Sequence, residues 1–499
     1  MKNLSGFIKS IRDIMRNDAG INGDAQRIEQ IVWMLFLKVY DAKEQEWMME
    51  DSSYQSIIPD GYKWSDWGEN KKDALTGGDL LNFVNRIGDG TPKSPKGLFQ
   101  VLKELEVDES TPIKKSIVKT VFSEANQYMK DGVLLRQVAN IIDSLDFSDY
   151  EESIAIGDLY ENFLKELQSA GSSGEFYTPR ALTSFMAKMI HPKLGEKMAD
   201  FACGTGGFIT SWLKELGKNE NSALGQEIIQ NSFYGIEKKQ FPYMLAVTNM
   251  LLHDQNNPSI THGNALLKSP IDYTDDEKFD VILMNPPYGG SEKKEVQQNF
   301  PDDIASSETA DLFMAVIMGR LKEKGRAAVV LPDGFLFGTD NAKINLKKNL
   351  LEKFNLHTVI RLPASVFAPY TSITTNVLFF DNTKPTEETW FYRMDMPKGY
   401  KHFSKTKPIL LEHFKVVEEW WNNREEIVVD EFPKAKKFTA KELSEDLGYN
   451  FDQCGVPHIE EEILLPMDLI NQYQEKRASL NAKIDSVLAE IISILERKD

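Results

Sequence analysis

Met198-Ala199-Asp200-Phe201-Ala202-Cys203-Gly204-Thr205-Gly206-Gly207-Phe208 opens as a short apolar run, breaks at glycines, and continues from Gly207 to Leu216 with helical spacing. A strand that turns through glycine directly into a helix is the opening unit of a parallel α/β sheet. The same alternation repeats downstream. Phe233 to Glu237 reads as a second strand and Phe241 to His253 as a second helix, followed by short strands at Ile260 to Gly263 and Phe279 to Met284. A helix from Asp311 to Leu321, a strand from Ala327 to Leu331, a helix from Asn345 to Phe354 and strands at Thr358 to Leu362 and Asn376 to Phe380 complete the pattern, the last being the expected final strand. Continuous apolar runs such as Val281-Ile282-Leu283-Met284 fit strands covered by helices on both faces.

On either side of this block the text changes. From Phe7 to about Tyr150 the pattern is helical, with Ile28, Ile31, Val32, Leu35 and Val39 on one face. Further helical runs fall at Leu80 to Val84, Ile113 to Ala125 and Leu134 to Leu145. Trp33, Trp47, Trp64 and Trp67 in this region are expected in its core. After Glu412 the chain is mixed and charged until Leu480, where Ile484, Val487, Ile491 and Ile494 form a short heptad seam suited to a partner helix or to docking on its own chain. The expected domains are therefore an all-α region over 1–153, an α/β domain over 154–411 and a C-terminal region with helices over 412–499.

The bulk numbers narrow the function classes. No stretch nears the roughly 20 apolar residues that cross a bilayer, and the first residues lack a signal peptide's apolar core, so a cytoplasmic location and no membrane partner are expected. The two cysteines, Cys203 and Cys454, suggest neither a disulfide framework nor a zinc site, and no metal is expected. A net charge of -18 disfavours a chain that grips duplex DNA unaided, because phosphate binding ordinarily needs a basic surface.

Three elements carry chemistry. In the first, Asp200 to Phe208, glycines let backbone lie against a ligand, and the helix that follows offers free N–H groups. Glu237 ends the second strand, where a carboxylate can accept hydrogen bonds from both hydroxyls of an adenosine ribose. Asn285-Pro286-Pro287-Tyr288 directly follows the fourth strand, at the sheet edge where open α/β folds bind ligands. The exocyclic amine of adenine is a poor nucleophile because its lone pair is delocalised into the ring. The Asn285 side-chain oxygen and the Pro286 carbonyl can each accept one amino hydrogen and free that lone pair. Prolines at 286 and 287 fix the turn, and Tyr288 can stack on a base drawn out of the helix, recovering roughly 1–3 kcal/mol of an unstacking cost of a few kcal/mol.

With these residues in place the sequence resembles the class I, S-adenosylmethionine-dependent amino-methyltransferases, whose adenine-specific members carry N-P-P-Y or D-P-P-Y after the fourth strand. More closely, Gly174-Glu175-Phe176-Tyr177-Thr178-Pro179-Arg180, the run Gly235 to Leu245 and the run Thr371 to Phe380 resemble segments of modification subunits of bacterial Type I restriction-modification systems. The resemblance covers most of the chain. It implies a Rossmann-like, mostly parallel sheet behind an all-α N-terminal domain, with C-terminal helices that meet a specificity subunit. It further implies that Glu175, Phe176, Tyr177, Thr178, Pro179, Arg180, Asp200, Gly204, Thr205, Gly206, Gly207 and Glu237 bind S-adenosylmethionine, that Asn264 contacts the cofactor's adenine, and that Asn285, Pro286, Pro287 and Tyr288 hold the target adenine. Many members of the wider class have Asp at the position of Asn264. The implied partners are double-stranded DNA, the specificity subunit, a second modification subunit and, in the full complex, the restriction subunit that translocates and cuts.

The expected reaction is direct in-line transfer of a methyl group to adenine N6, with Cys203 as a packing residue and no covalent intermediate. Three other readings compete. A glutamine-N5 protein methyltransferase faces the same lone-pair problem, but such enzymes are typically much shorter and lack the 175–180 segment in this form. A non-catalytic assembly subunit would not need Asn285 to Tyr288 intact. A self-sufficient DNA methyltransferase would need its own target-recognition domain, yet only about 120 residues follow Phe380, against a usual domain size of about 100–150.

Overall fold

The computed structural model describes residues 4–147, 156–157, 160–165, 177–218, 220, 222–455 and 466–496. They divide into two units, Met1–Gly455 and Val456–Asp499.

The first unit is built on a ten-stranded sheet. Its strands are β1 (Met198–Asp200), β2 (Phe233–Glu237), β3 (Ile260–His262), β4 (Phe279–Met284), β5 (Leu321–Pro332), β6 (Asn355–Arg361), β7 (Thr375–Asp381), β8 (Glu388–Arg393), β9 (Ile427–Val429) and β10 (Phe432–Thr439). They lie in the order β3-β2-β1-β4-β5-β7-β6-β8-β10-β9. Strands β1 to β5 pair in parallel where they touch, β7 runs against both β5 and β6, β8 is parallel to β6, and β10 is antiparallel to β8 and β9. The sheet is thus mostly parallel, as expected. The chain leaves β1 toward β2 and β3, then returns to place β4 on the other side of β1. That reversal opens a crevice at the carboxyl ends of β1 and β4.

Burial follows the two-residue period of strands. Met198, Val281, Leu283, Ala328, Val330, Val377 and Phe379 face one core, while Ala199, Ile282, Met284, Ala327, Val329, Leu378 and Phe380 face the other. The first core is continuous with that of the N-terminal helices. Its centre there is the long helix α1 (Asp24–Glu50), whose Trp33 is fully buried and meets Trp67 and Phe99. All four tryptophans of this region are core residues. Against the same side of the sheet lie α2 (Arg180–Met189), α3 (Gly207–Gly217) and α4 (Gln240–Leu252); α5 (Thr309–Arg320) and α6 (Asn341–Lys353) pack on the other. At the start of α4, Gln240 Nε2 donates to the carbonyls of Thr120 and Val121, tying the N-terminal helices to the sheet layer.

One sequence expectation is corrected: Asn376 to Phe380 does not end the sheet. Beyond it β8, β9 and β10 add three strands, two of them within the stretch read as mixed and charged after Glu412. Phe432–Thr439 hides its strand character because Lys434, Lys436 and Lys437 sit among few apolar residues, as befits a strand near a sheet edge. The second unit contains a helix over Pro466–Glu496, longer than the seam from Leu480 suggested, on which Leu480, Ile484, Val487 and Leu488 are exposed. The side chains of Ile491 and Ile494 lie outside the described residues. No described helix is long and apolar enough to cross a membrane.

Candidate active site

Three short pieces of chain, far apart in sequence, converge on the crevice between β1 and β4. The first is the glycine turn. Gly204 and Gly206 both have left-handed backbone, with φ of 54° and 79°, a conformation that glycine adopts without steric cost. The turn closes through the Gly206 N–H to the Cys203 carbonyl, and α3 starts at Gly207. The second piece is Glu237 at the end of β2. Its Oε2 accepts from Gly204 N at 2.9 Å and its Oε1 from Lys239 N at 2.8 Å. A carboxylate has about four lone-pair sites, so both oxygens retain capacity toward the cavity. Burial pushes this carboxyl above its ordinary range, against the pull of the two backbone donors.

The third piece is the tetrapeptide after β4. Residues 285–288 belong to no helix or strand, which leaves the Pro286 carbonyl outside any ladder. Asn285 Nδ2 donates to Thr178 Oγ1 at 3.2 Å, while Asn285 Oδ1 is buried without a hydrogen-bond partner among the described residues. A buried amide oxygen left unpaired costs free energy of about 1–3 kcal/mol, and a ligand's N–H would recover it. Tyr288 stands edge-on to Phe367, with ring centroids 6.0 Å apart. The chain after Tyr288 is fastened to the start of α5 by Thr309 N–H to the Gly290 carbonyl and Glu292 N–H to the Ser307 carbonyl.

These pieces wall a cavity of about 400 Å³, within the size range of small-molecule sites. Of the residues singled out from sequence, Tyr177, Thr178, Arg180, Asp200, Gly204, Thr205, Gly207, Glu237, Asn264, Asn285, Pro286, Pro287 and Tyr288 line it. Pro179 and Gly206 do not, but they cap α2 and α3 and so set the walls. Glu175 and Phe176 lie outside the described residues. Asn264 Oδ1 accepts from Leu266 N at 3.1 Å, so the side-chain amide N–H₂ is its donor toward the cavity.

Asp200 and Cys203 are buried at the cavity floor. Burial pushes the Asp200 carboxyl up to about 8; the Ala202 N–H opposes this and the Glu237 charge adds to it. Unfolded, the group ionises near about 3.9. Between those values the native state holds a proton that the unfolded chain has released. The stability this group contributes is therefore fully present below about pH 4 and lost as pH rises through about 8. Thermal denaturation of Asp200→Asn in the ligand-free protein should accordingly show a flatter decline in Tm from pH 5 to 8 than the parent; parallel curves would refute the assignment. Burial, with Asp200 and Glu237 nearby, raises the Cys203 thiol well above its usual range, which disfavours a thiolate nucleophile and fits a packing role.

Sequence reading missed the brace behind the glycine turn. Arg180 Nε and Nη2 donate to Glu161 Oε2 and Oε1 at 2.6 and 3.2 Å, and Nη2 also reaches Thr205 Oγ1 at 3.0 Å. Asn249 on α4 donates to Glu161 Oε1 and to the Thr205 carbonyl. Despite the cost of burial, Arg180 keeps the Glu161 carboxyl below its ordinary range. A Cβ on Gly207 would come within 1.9 Å of Arg180 Nη1, so glycine there makes room for the guanidinium. Also missed were Phe367 and Tyr370, which face the tetrapeptide from the β6–β7 connection, and Thr309 and Phe313 of α5.

Residues 152–453 match the family described as N-6 DNA Methylase. The chain belongs to the N-6 DNA methylases. Residues 4–142 match the HsdM N-terminal domain, which places the helical region of this methylase in the same lineage. It is 44% identical over 494 residues to the Type I restriction enzyme EcoEI methylase subunit of Escherichia coli, covering 96% of this chain and 95% of that one. A crystal structure of a modification subunit assigned to a type I restriction enzyme of Vibrio vulnificus YJ016 shares 40% identity at a TM-score of 0.76, covering 88% and 92% of the two chains. A further structure, from work on complex assembly and conformational transition of the type I R-M system, shares 31% identity at a TM-score of 0.79 and covers 100% and 99%.

Thr178 links the two halves of the methylase's cavity, since its hydroxyl accepts the Asn285 amide. Thr178→Val should lower kcat for methyl transfer by about 3- to 10-fold, the worth of one net hydrogen bond, with Tm within a degree or two of the parent. Single-turnover rates check this; an unchanged rate would show that Asn285 is oriented without it.

Proposed function

We propose that this adenine-specific DNA methyltransferase holds S-adenosylmethionine over the glycine turn and draws the target adenine, turned out of duplex DNA, against Asn285 to Tyr288. The observation that carries the reading is Asn285 Oδ1 in the cavity wall at the carboxyl end of β4, a buried acceptor without a partner among the described residues. A primary amine with two hydrogens to give is the complementary group.

The residues suit the cofactor. Glu237 has acceptor capacity for two ribose hydroxyls, the Asn264 amide can donate to a ring nitrogen, and the glycine turn admits close backbone approach. Asp200 is a buried carboxyl whose ionised form would be recovered by a positive charge bound beside it. S-adenosylmethionine supplies an electrophilic methyl group on a positively charged sulfur. The chain's own work is positioning. Asn285 Oδ1 and the Pro286 carbonyl take the two amino hydrogens of adenine, which localises the nitrogen lone pair. Tyr288, supported by Phe367, offers a face on which the extruded base can stack. The in-line geometry needs no nucleophile from the protein.

In this reading the chain acts in the cytoplasm as the methylating subunit of a Type I complex. A separate specificity subunit reads the sequence, a second copy of this chain clasps the other side of the DNA, and a restriction subunit joins in the full assembly. The test is transfer of labelled methyl to duplex DNA by the chain with and without the product of the neighbouring gene, followed by mapping of the modified base. Label on N6 of adenine at one sequence, dependent on the second protein, is the expected result. Label on protein or on another base, or none, would overturn the reading.

A further inference from the structure

The acidity of the chain is not evenly spread. Between Asp395 and Glu412 run four lysines, Lys398, Lys401, Lys405 and Lys407, and no carboxylate, in a protein of net charge -18. All four are exposed. Among the described residues no carboxylate pairs with Lys398, Lys401 or Lys407, and Asp395, the acid that precedes them, is engaged by Arg393 and Lys434.

The position of this segment is what gives the charge a meaning. It leaves the carboxyl end of β8, which the strand directions put on the same edge of the sheet as the tetrapeptide after β4. It then folds back toward the cavity. Phe403 is buried and its N–H donates to Ser365 Oγ at 2.9 Å, in the same connection that carries Phe367 to the cavity wall. Farther on, Pro408 to Leu411 face Val366 and Ala368 across a groove that Tyr177 and Arg180, themselves cavity-lining, also border. The lysines thus sit on a structure fastened to the rim of the site.

We infer that Lys398, Lys401 and Lys407 contact the phosphates of the DNA strand whose adenine enters the cavity. The inference rests on the cavity being the adenine site. A strand that delivers a base there must pass over this rim. A protein whose net charge opposes DNA needs its cations concentrated where the backbone lies. Phosphate contacts position a duplex without reading it, which suits a subunit that leaves sequence recognition to a partner. An acidic protein surface would find the same charge, but nothing would then require it beside the methyl-transfer site.

The experiment is the triple variant Lys398→Gln, Lys401→Gln and Lys407→Gln in the full-length chain, assembled with the specificity subunit. A control carries Lys193→Gln, Lys324→Gln and Lys353→Gln, exposed lysines at the opposite edge of the sheet. The expected result is DNA affinity weakened about 10- to 100-fold near 0.15 M salt, with the slope of log K against log[salt] shallower by up to about 2.7, from a slope of about 0.9 per phosphate. The rate at saturating DNA, cofactor affinity and assembly should match the parent, and the control should keep the full slope. An unchanged affinity and slope in the triple variant would overturn the inference while leaving the parent's adenine methylation intact. So would loss of assembly with affinity per assembled complex unchanged, which would mark a protein-docking surface. If the parent itself failed to methylate adenine in DNA, both readings would fall together.

Discussion

Asn285→Ala is expected to lower kcat for methyl transfer to DNA by about 10²- to 10³-fold, the cost of deleting one preorganised hydrogen-bonding group at the reacting atom. The physical basis is an asymmetry. In the parent, Asn285 Oδ1 is a buried acceptor unpaired among the described residues, so the free protein already bears a cost that the adenine amino group would offset. Alanine removes both the cost and the interaction, and among the described residues the fold loses the amide's links to Thr178 and Tyr288. Tm should therefore stay within a degree or two of the parent or rise slightly, and binding of S-adenosylmethionine should be retained. A variant that methylates DNA at the parental rate would show that the amide does not face the reacting nitrogen. One that is inactive because it unfolds would show that Asn285 serves the architecture. Activity and denaturation measured on the same preparation separate these outcomes.

How much of this was legible beforehand depends on what kind of interaction placed each residue. Phe233–Glu237 and Phe279–Met284 stand as read because their apolar runs have no competing helical period. Boundaries slipped where polar residues are buried by pairing. The helix expected from Asn345 begins at Asn341, capped by Asp340, because Lys343 is held by Asp311 and Asp340 and Lys347 donates to the Leu336 and Gly338 carbonyls. No hydropathy pattern anticipates a lysine turned inward. β5 likewise starts at Leu321 rather than Ala327, since Lys322 finds Asp280 across the sheet edge. In the cavity, the glycine turn, Glu237 and the tetrapeptide are compact local patterns, whereas Phe367 and Tyr370 arrive on a connection without a recurring pattern of its own. Glu161 and Asn249 are 88 residues apart and meet only because α4 crosses behind the glycine turn.

That hidden brace predicts the larger stability effect. Arg180→Ala should destabilise the protein by about 3–5 kcal/mol, as expected when one partner of a largely buried ion pair is removed. The guanidinium and the Glu161 carboxylate are each only about one-fifth exposed. The loss is not that of a surface pair, because Glu161 would remain in place with, among the described residues, Asn249 to hydrogen-bond it. The sign of the pH dependence follows. With Arg180 present the Glu161 carboxyl is held below its ordinary value, so its contribution exists above the unfolded pKa and is lost as pH falls through the folded one. Without Arg180, burial is opposed by the weaker pull of His253 and Asn249, and the carboxyl moves up. The deficit of the variant should thus be greatest near neutral pH and shrink toward pH 4, where Glu161 is protonated in the variant. Combining Arg180→Ala with Glu161→Gln should recover part of the loss, because the stranded charge is gone. Urea denaturation of the two single variants, the double variant and the parent at pH 7 and pH 5 closes the cycle. Additive effects would show that the pair does not act as a unit. Coupling of the expected sign, accompanied by weakened S-adenosylmethionine binding in all three variants, would show that this ion pair holds Thr205 and the glycine turn in place for the cofactor.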